Sequence, residues 1–145
     1  MKKRILTLCA ALCAALCAAL LLCSCDVKGN PLPEGMDEAS VLAAGEEIVT
    51  QLNDAQWQAV YDQLREDVKT STTPQDIQTH IESVLDEIGP YKSLKDTMTT
   101  GQTVKETGEK YGTAVFYCQH EKDQAMYRIA FSTDMELIGL QITEQ

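Results

Sequence analysis

The stretch TAVFYCQHEKDQAMYRIAF, residues 113–131, decides the fold. In its first eight residues Val115, Tyr117 and Gln119 alternate with Ala114, Phe116 and Cys118. In its last eight, Tyr127, Ile129 and Phe131 alternate with Met126, Arg128 and Ala130. A period of two is that of a strand with one face buried, because successive side chains point to opposite sides of the pleat. Glu121-Lys122-Asp123 between the two runs is a polar turn, so the pair predicts an antiparallel hairpin. STDME, residues 132–136, predicts a second turn into a strand over LIGLQI, 137–142, and a weaker strand is expected within 92–107.

Before Pro90 the period is that of a helix. Asp37 is a good N-cap, and Val41, Ala44, Ile48, Val49 and Leu52 follow it along one helical face. Asn53-Asp54 interrupts this pattern, and Asp54 is expected to cap a second helix with inner stripe Trp57, Val60, Tyr61, Leu64 and Val68. A third helix is expected from Thr73 as N-cap, with Pro74 in the first helical position and Asp76 reaching back. Its face is Ile77, Ile81, Val84, Leu85 and Ile88, and Gly89-Pro90 stops it. Three helices followed by about four antiparallel strands predict an α+β domain over residues 37–145, the helical stripes packed on one face of the sheet.

Residues 26–36, DVKGNPLPEGM, hold two glycines and two prolines among few apolar side chains, which argues against helix or strand. Together with Cys25 they read as a flexible tether, roughly 36–40 Å long when extended. Ahead of it lies a leader, residues 1–24: the cationic start MKKR, then 19 residues without a charge from Ile5 to Cys23. That combination is a secretion signal. Its length also reaches the lower limit for a spanning helix, so a retained signal anchor is the alternative.

Five of the six cysteines fall within the first 25 residues. Leu22-Cys23-Ser24-Cys25 resembles the lipobox of bacterial lipoproteins, in which a small residue precedes a cysteine that is diacylated on sulfur and becomes the mature N-terminus. Cys25, after the small Ser24, fits that role. Cys23 follows bulky Leu22 and does not; it also occupies a place where small or β-branched residues are usual, the one departure from the pattern. The resemblance implies a bacterial membrane lipoprotein carrying lipid of the palmitate type. Two or three acyl chains make attachment stable where one is marginal, each buried methylene adding about 0.8 kcal/mol. Asp26 resembles an inner-membrane retention signal in two-membrane bacteria; with or without it, the domain is expected on the outer face of the cytoplasmic membrane. Cys9, Cys13 and Cys17 recur every four residues in an LCAA repeat, read as a low-complexity apolar leader in preference to a metal site. Cys118, on a strand, is expected to be a buried apolar residue.

From Cys25 onward nine Lys and Arg face 22 Asp and Glu, a formal charge of −13. An acidic surface repels nucleic acid phosphates and anionic lipid headgroups, so neither is an expected partner.

TQLNDAQWQAVYDQL (50–64), IGPYKSLKD (88–96) and RIAFSTDMELIGLQI (128–142) together resemble domain of unknown function 3887, over roughly residues 40–143. Gly89, Ser93, Phe131, Asp134 and Gly139 mark the match, and Met135-Glu136 stands where the family often has glycine. The resemblance implies the cone-like α+β superfamily of nuclear transport factor two, ketosteroid isomerase and scytalone dehydratase: a curved sheet around helices, open at one end into an apolar pocket. Fold of this kind does not decide activity.

The isomerases of that superfamily pair a carboxylate base with a phenol in a dry pocket. No motif here carries those roles. Tyr61 and Asp62 are adjacent on a helix and point about 100° apart, Tyr61 toward the core and Asp62 toward solvent. His80 and His120 lack neighbours at metal-ligand spacing and are expected at boundary or surface positions. Arg128 is expected in a cross-strand pair with an acidic neighbour unless it faces the pocket. No phosphate loop, serine elbow or zinc signature is present. No catalytic residue, cofactor or metal is therefore assigned. The expected function is a membrane-anchored, extracytoplasmic, non-catalytic binding or interaction module for a protein or small apolar ligand, with a small isomerase or dehydratase and a homodimerising scaffold as alternatives.

Overall fold

The computed structural model describes residues 29–145; the leader, Cys9, Cys13, Cys17 and Cys25 lie outside them. Four helical segments precede four strands: α1 (Glu38–Asn53), α2 (Trp57–Gln63), α3 (Glu66–Lys69), α4 (Pro74–Ile88), then β1 (Tyr91–Thr103), β2 (Lys110–His120), β3 (Gln124–Ser132) and β4 (Leu137–Glu144). The strands form one antiparallel sheet in the order β1-β2-β3-β4. This is an α+β architecture.

Register and burial identify the two faces. Phe116 lies opposite Tyr127, Ala114 opposite Ile129 and Tyr127 opposite Ile142, all of them buried. They meet Val41, Ile48, Leu52, Ile77 and Ile81 of the helices in one core. The other face carries Val115, Arg128 and Gln141, opposite one another on β2, β3 and β4. Helix α1 lies across β2 and its neighbours, α4 lies against β4, and α2 fills the angle between α1 and α4.

The helix ends follow from local chemistry. Asp37 caps α1, its carboxylate accepting from the Ser40 amide at 2.9 Å. Thr73 and Asp76 form a reciprocal capping box on α4, with Pro74 in the first turn. Gly89 ends α4 at φ 79°, ψ −176°, a backbone state open essentially to glycine alone.

The single helix expected after Asp54 is instead two. Asp54 is the C-cap of α1, not the N-cap of α2. Leu64 leaves the helix in extended conformation, bridging to Leu137, and the Arg65 amide donates to the Leu137 carbonyl at 2.9 Å. The start of β4 thus takes backbone groups that a continuous helix would have used itself. Arg65 then spans Asp67 and Glu109, pinning α3 to the β1–β2 turn. In the last hairpin Met135, at φ 63°, occupies the left-handed position that glycine would serve, and its side chain packs on the core.

The expected tether needs correction over residues 29–36. They form no helix or strand, yet the Gly101 amide donates to the Asn30 carbonyl at 2.9 Å and Leu32 and Met36 pack on the core. Gly101 and Gly112, opposite each other in the sheet, make this possible: a Cβ on Gly101 would lie 2.0 Å from the Pro31 oxygen, and one on Gly112 would lie 2.8 Å from the Met36 methyl. Leu32 and Met36 thus pack against the Gly101–Gly112 end of the sheet.

Candidate functional site

Three chain segments converge at the other end of β1: the C-terminus of α1, the last turn of α4 and the first residues of β1. Helix α1 closes in a Schellman arrangement, with the Gln56 amide donating to Gln51 O and the Ala55 amide to Leu52 O. Ala55 takes φ 57° to do so. The chain turns away at this point and leaves the first residues of β1 uncovered. Tyr91 and Leu94, each 40% exposed, are the large apolar side chains left open to solvent among the described residues.

Beside them is a pocket of about 130 Å³ with Phe116 and Cys118 of β2 and Val49 of α1 in its wall, and Glu46, Thr50 and Asp54 along the helical side. Asn53, Asp54 and Tyr91 also line an adjoining, wider cleft of about 620 Å³ that reaches Asp86, Pro90 and Lys122. The carboxylates of Glu46, Asp54 and Asp86 are exposed and have no hydrogen-bond or ion-pair partner among the described residues. The Lys122 ammonium donates to the Asp86 carbonyl at 3.2 Å.

Behind the wall runs a buried polar chain. His120 Nδ1 is 2.7 Å from the Gly89 carbonyl, which can only accept, so Nδ1 carries the proton. In that tautomer Nε2 is the acceptor, and the Tyr127 hydroxyl donates to it at 3.0 Å. Asn53 Nδ2 donates to the Tyr127 oxygen at 3.0 Å and to the Val49 carbonyl at 2.9 Å. The Tyr91 ring meets His120 edge-on, with centroids 5.7 Å apart. Burial, opposed by the Asn53 hydrogen bond, holds the Tyr127 phenol above its ordinary range. Burial pushes the Cys118 thiol up to about 11, which makes it a poor nucleophile.

His120 is therefore 1% exposed rather than a boundary residue. It sits on the parity of Ala114, Phe116 and Cys118, and the glycine that ends α4 supplies its acceptor. His80 is exposed on α4, beside a shallow groove with Leu64, Ile77 and Leu140. Tyr61 packs on the core while Asp62 is exposed, held by Gln58. Among the described residues Arg128 has no acidic cross-strand partner: it faces Val115 and Gln141 on the outer side of the sheet, away from the pocket. Cys118 is buried. Among the described residues no Asp or Glu is buried, and none forms a group with His or Cys that could hold a metal. The residues that form the opening, Tyr91, Leu94 and Asn53, carry no motif; their one signal is position, just beyond a helix end.

A family model, "Protein of unknown function (DUF3887)", matches residues 45–140. The "NMR structure of protein from Ruminococcus gnavus ATCC 29149" is similar with a TM-score of 0.64 and 22% identity, over 77% of this chain and 96% of that one. That likeness concerns the fold. No curated protein matches.

Proposed function

The chain belongs to the DUF3887 family, whose function is unknown, and from its own residues we propose that it is an extracytoplasmic lipoprotein, anchored through Cys25, whose cone-like domain of the nuclear transport factor two type is a non-catalytic binding module. One observation carries the binding reading: Tyr91 and Leu94 stand uncovered beside a pocket whose wall is Val49, Phe116 and Cys118. Large apolar groups left in water beside an apolar cavity mark a place where something docks. The isomerase reading asks for a carboxylate beside a phenol. The pocket does hold the phenol of Tyr91 with the carboxylates of Glu46 and Asp54, but all three are open to water, and the buried phenol, Tyr127, is committed to His120 and Asn53 and does not line the pocket.

With Cys25 as the anchor, the seat of residues 29–36 limits how far the domain stands from the bilayer. Three residues, 26–28, separate Cys25 from the part laid on the sheet, a reach of about 10 Å. The domain is thus held close to the bilayer by the Gly101 end of β1. Tyr91 lies ten residues back along that strand, roughly 30 Å away. The pocket faces outward on this reading, toward partners in the envelope rather than lipid.

The test is a titration of the isotope-labelled protein with indole and hexanol, followed by NMR. Shifts centred on Tyr91, Leu94, Phe116 and Cys118, abolished by Leu94→Asp, are expected. Their absence from these residues would remove the pocket from the account.

A further inference from the structure

Resting on the binding reading above, we infer that the occupant of the Tyr91–Leu94 pocket is a basic side chain with an apolar stem, lysine or arginine, presented by a cationic peptide segment of an envelope protein. Size is the first argument. The apolar recess of about 130 Å³ is smaller than the roughly 300–1,000 Å³ of sites for free small molecules and takes a single side chain, while the adjoining cleft of about 620 Å³, which shares Asn53, Asp54 and Tyr91, has room for the segment that presents it. Charge is the second. The wall is apolar, but α1 presents Glu46 within the helix and Asp54 at its C-cap, with Asp86 across the adjoining cleft, where the Lys122 ammonium is held by the Asp86 carbonyl. None of the three carboxylates is neutralised by a side-chain partner among the described residues.

A lysine or arginine lays its methylenes along apolar surface while its head stays at the polar rim. The exposed ring of Tyr91 adds a face on which a cation is attracted. The charge of −13 beyond the leader draws a cationic partner from a distance. Entry by a side chain also suits the strand beneath. β1 is an edge strand, but its register breaks between Tyr91 and Ser93 and again between Leu94 and Asp96. Bulges of that kind hinder addition of another strand, so the contact is a side chain in a pocket rather than an extended sheet.

The probes are three capped pentapeptides: alternating valine and lysine, the same with norleucine for lysine, and the same with glutamate. Each is titrated by NMR into the full chain in uncharged detergent. The lysine peptide is expected to shift Tyr91 and Leu94 and to bind at least fivefold tighter than the norleucine peptide. It is expected to lose that margin in the Glu46→Gln/Asp54→Asn double variant, whose changes are exposed and conservative. The glutamate peptide is expected not to bind. Equal binding of norleucine and lysine peptides, indifferent to the double variant, would overturn the cationic occupant while leaving an apolar pocket in place. Binding of the lysine peptide that survives Leu94→Ser undiminished, a change that removes the apolar wall without adding charge, would reduce the effect to general attraction by an acidic surface and also overturn it. Silence of the pocket residues toward both the lysine and norleucine peptides would overturn this inference, and failure of indole and hexanol as well would take the binding reading with it.

Discussion

The hydroxyl of Tyr127 lies 3.0 Å from Nε2 of His120, and the other ring nitrogen of that histidine lies 2.7 Å from the carbonyl of Gly89. One imidazole therefore ties β3 to the end of α4, and Asn53 extends the tie to α1. Tyr127→Phe keeps the ring and removes the donor, leaving His120 Nε2 buried without a partner. A loss of about 1–3 kcal/mol is expected from leaving such a group unpaired, read from urea unfolding. The ¹⁵N shifts of His120 are expected to report the Nδ1-protonated tautomer in the unaltered protein.

Ala55 holds φ 57° at the position of the Schellman turn where glycine is usual. It is exposed and has no packing to lose. The left-handed conformation costs a residue with a Cβ about 1–2 kcal/mol, so Ala55→Gly is expected to raise stability by about 1 kcal/mol, visible as a higher Tm. Met135 has the same backbone state but packs on the core, and Met135→Gly is expected to gain less or nothing.

Gly45 lets α1 close on the sheet: a Cβ there would lie 2.7 Å from the Phe116 ring and 2.8 Å from Ala114 Cβ. Gly45→Ala gains about 1 kcal/mol of helix propensity but overpacks the core at a cost of about 1–3 kcal/mol. Net destabilisation is expected. Phe116→Leu in the same chain should recover part of it, so the two changes are non-additive in a double-mutant cycle.

Backbone and hydroxyl donors hold two capping carboxylates below their ordinary value of 3.8: the Ser40 amide and hydroxyl for Asp37, the Thr73 hydroxyl and amide for Asp76. A folded-state value below the unfolded one means that the contribution is present above about pH 4 and lost as pH falls through the folded value. Asp76→Asn is expected to flatten the acid side of the Tm profile. Glu144 is the opposite case, raised by its hydrogen bond to Asp123 and by that residue's charge. Its favourable contribution is present at low pH and lost as pH rises, so Glu144→Gln should raise the Tm at pH 7 and leave it unchanged at pH 3.

Much of this architecture is legible because it rests on local rules. The capping box of Thr73 and Asp76, the stop at Gly89 and the alternation through residues 113–131 each depend on neighbours within a few positions. What escapes the sequence depends on distant partners. Leu64 breaks a helix because Leu137, far along the chain, offers a bridge. His120 is buried because Gly89 and Tyr127 satisfy both its nitrogens. The pocket is harder still to read, since it exists where α1 fails to cover Tyr91 and Leu94, and a lack of cover has no sequence pattern.

The proposed anchor at Cys25 has one direct measurement: the intact mass of the protein made in its native host, with fragmentation of the N-terminal peptide. The expected product is a chain beginning at Cys25, heavier than its sequence by a diacylglyceryl group on the sulfur. A chain that retains residues 1–24, or one that begins at an unmodified Cys25, would contradict it.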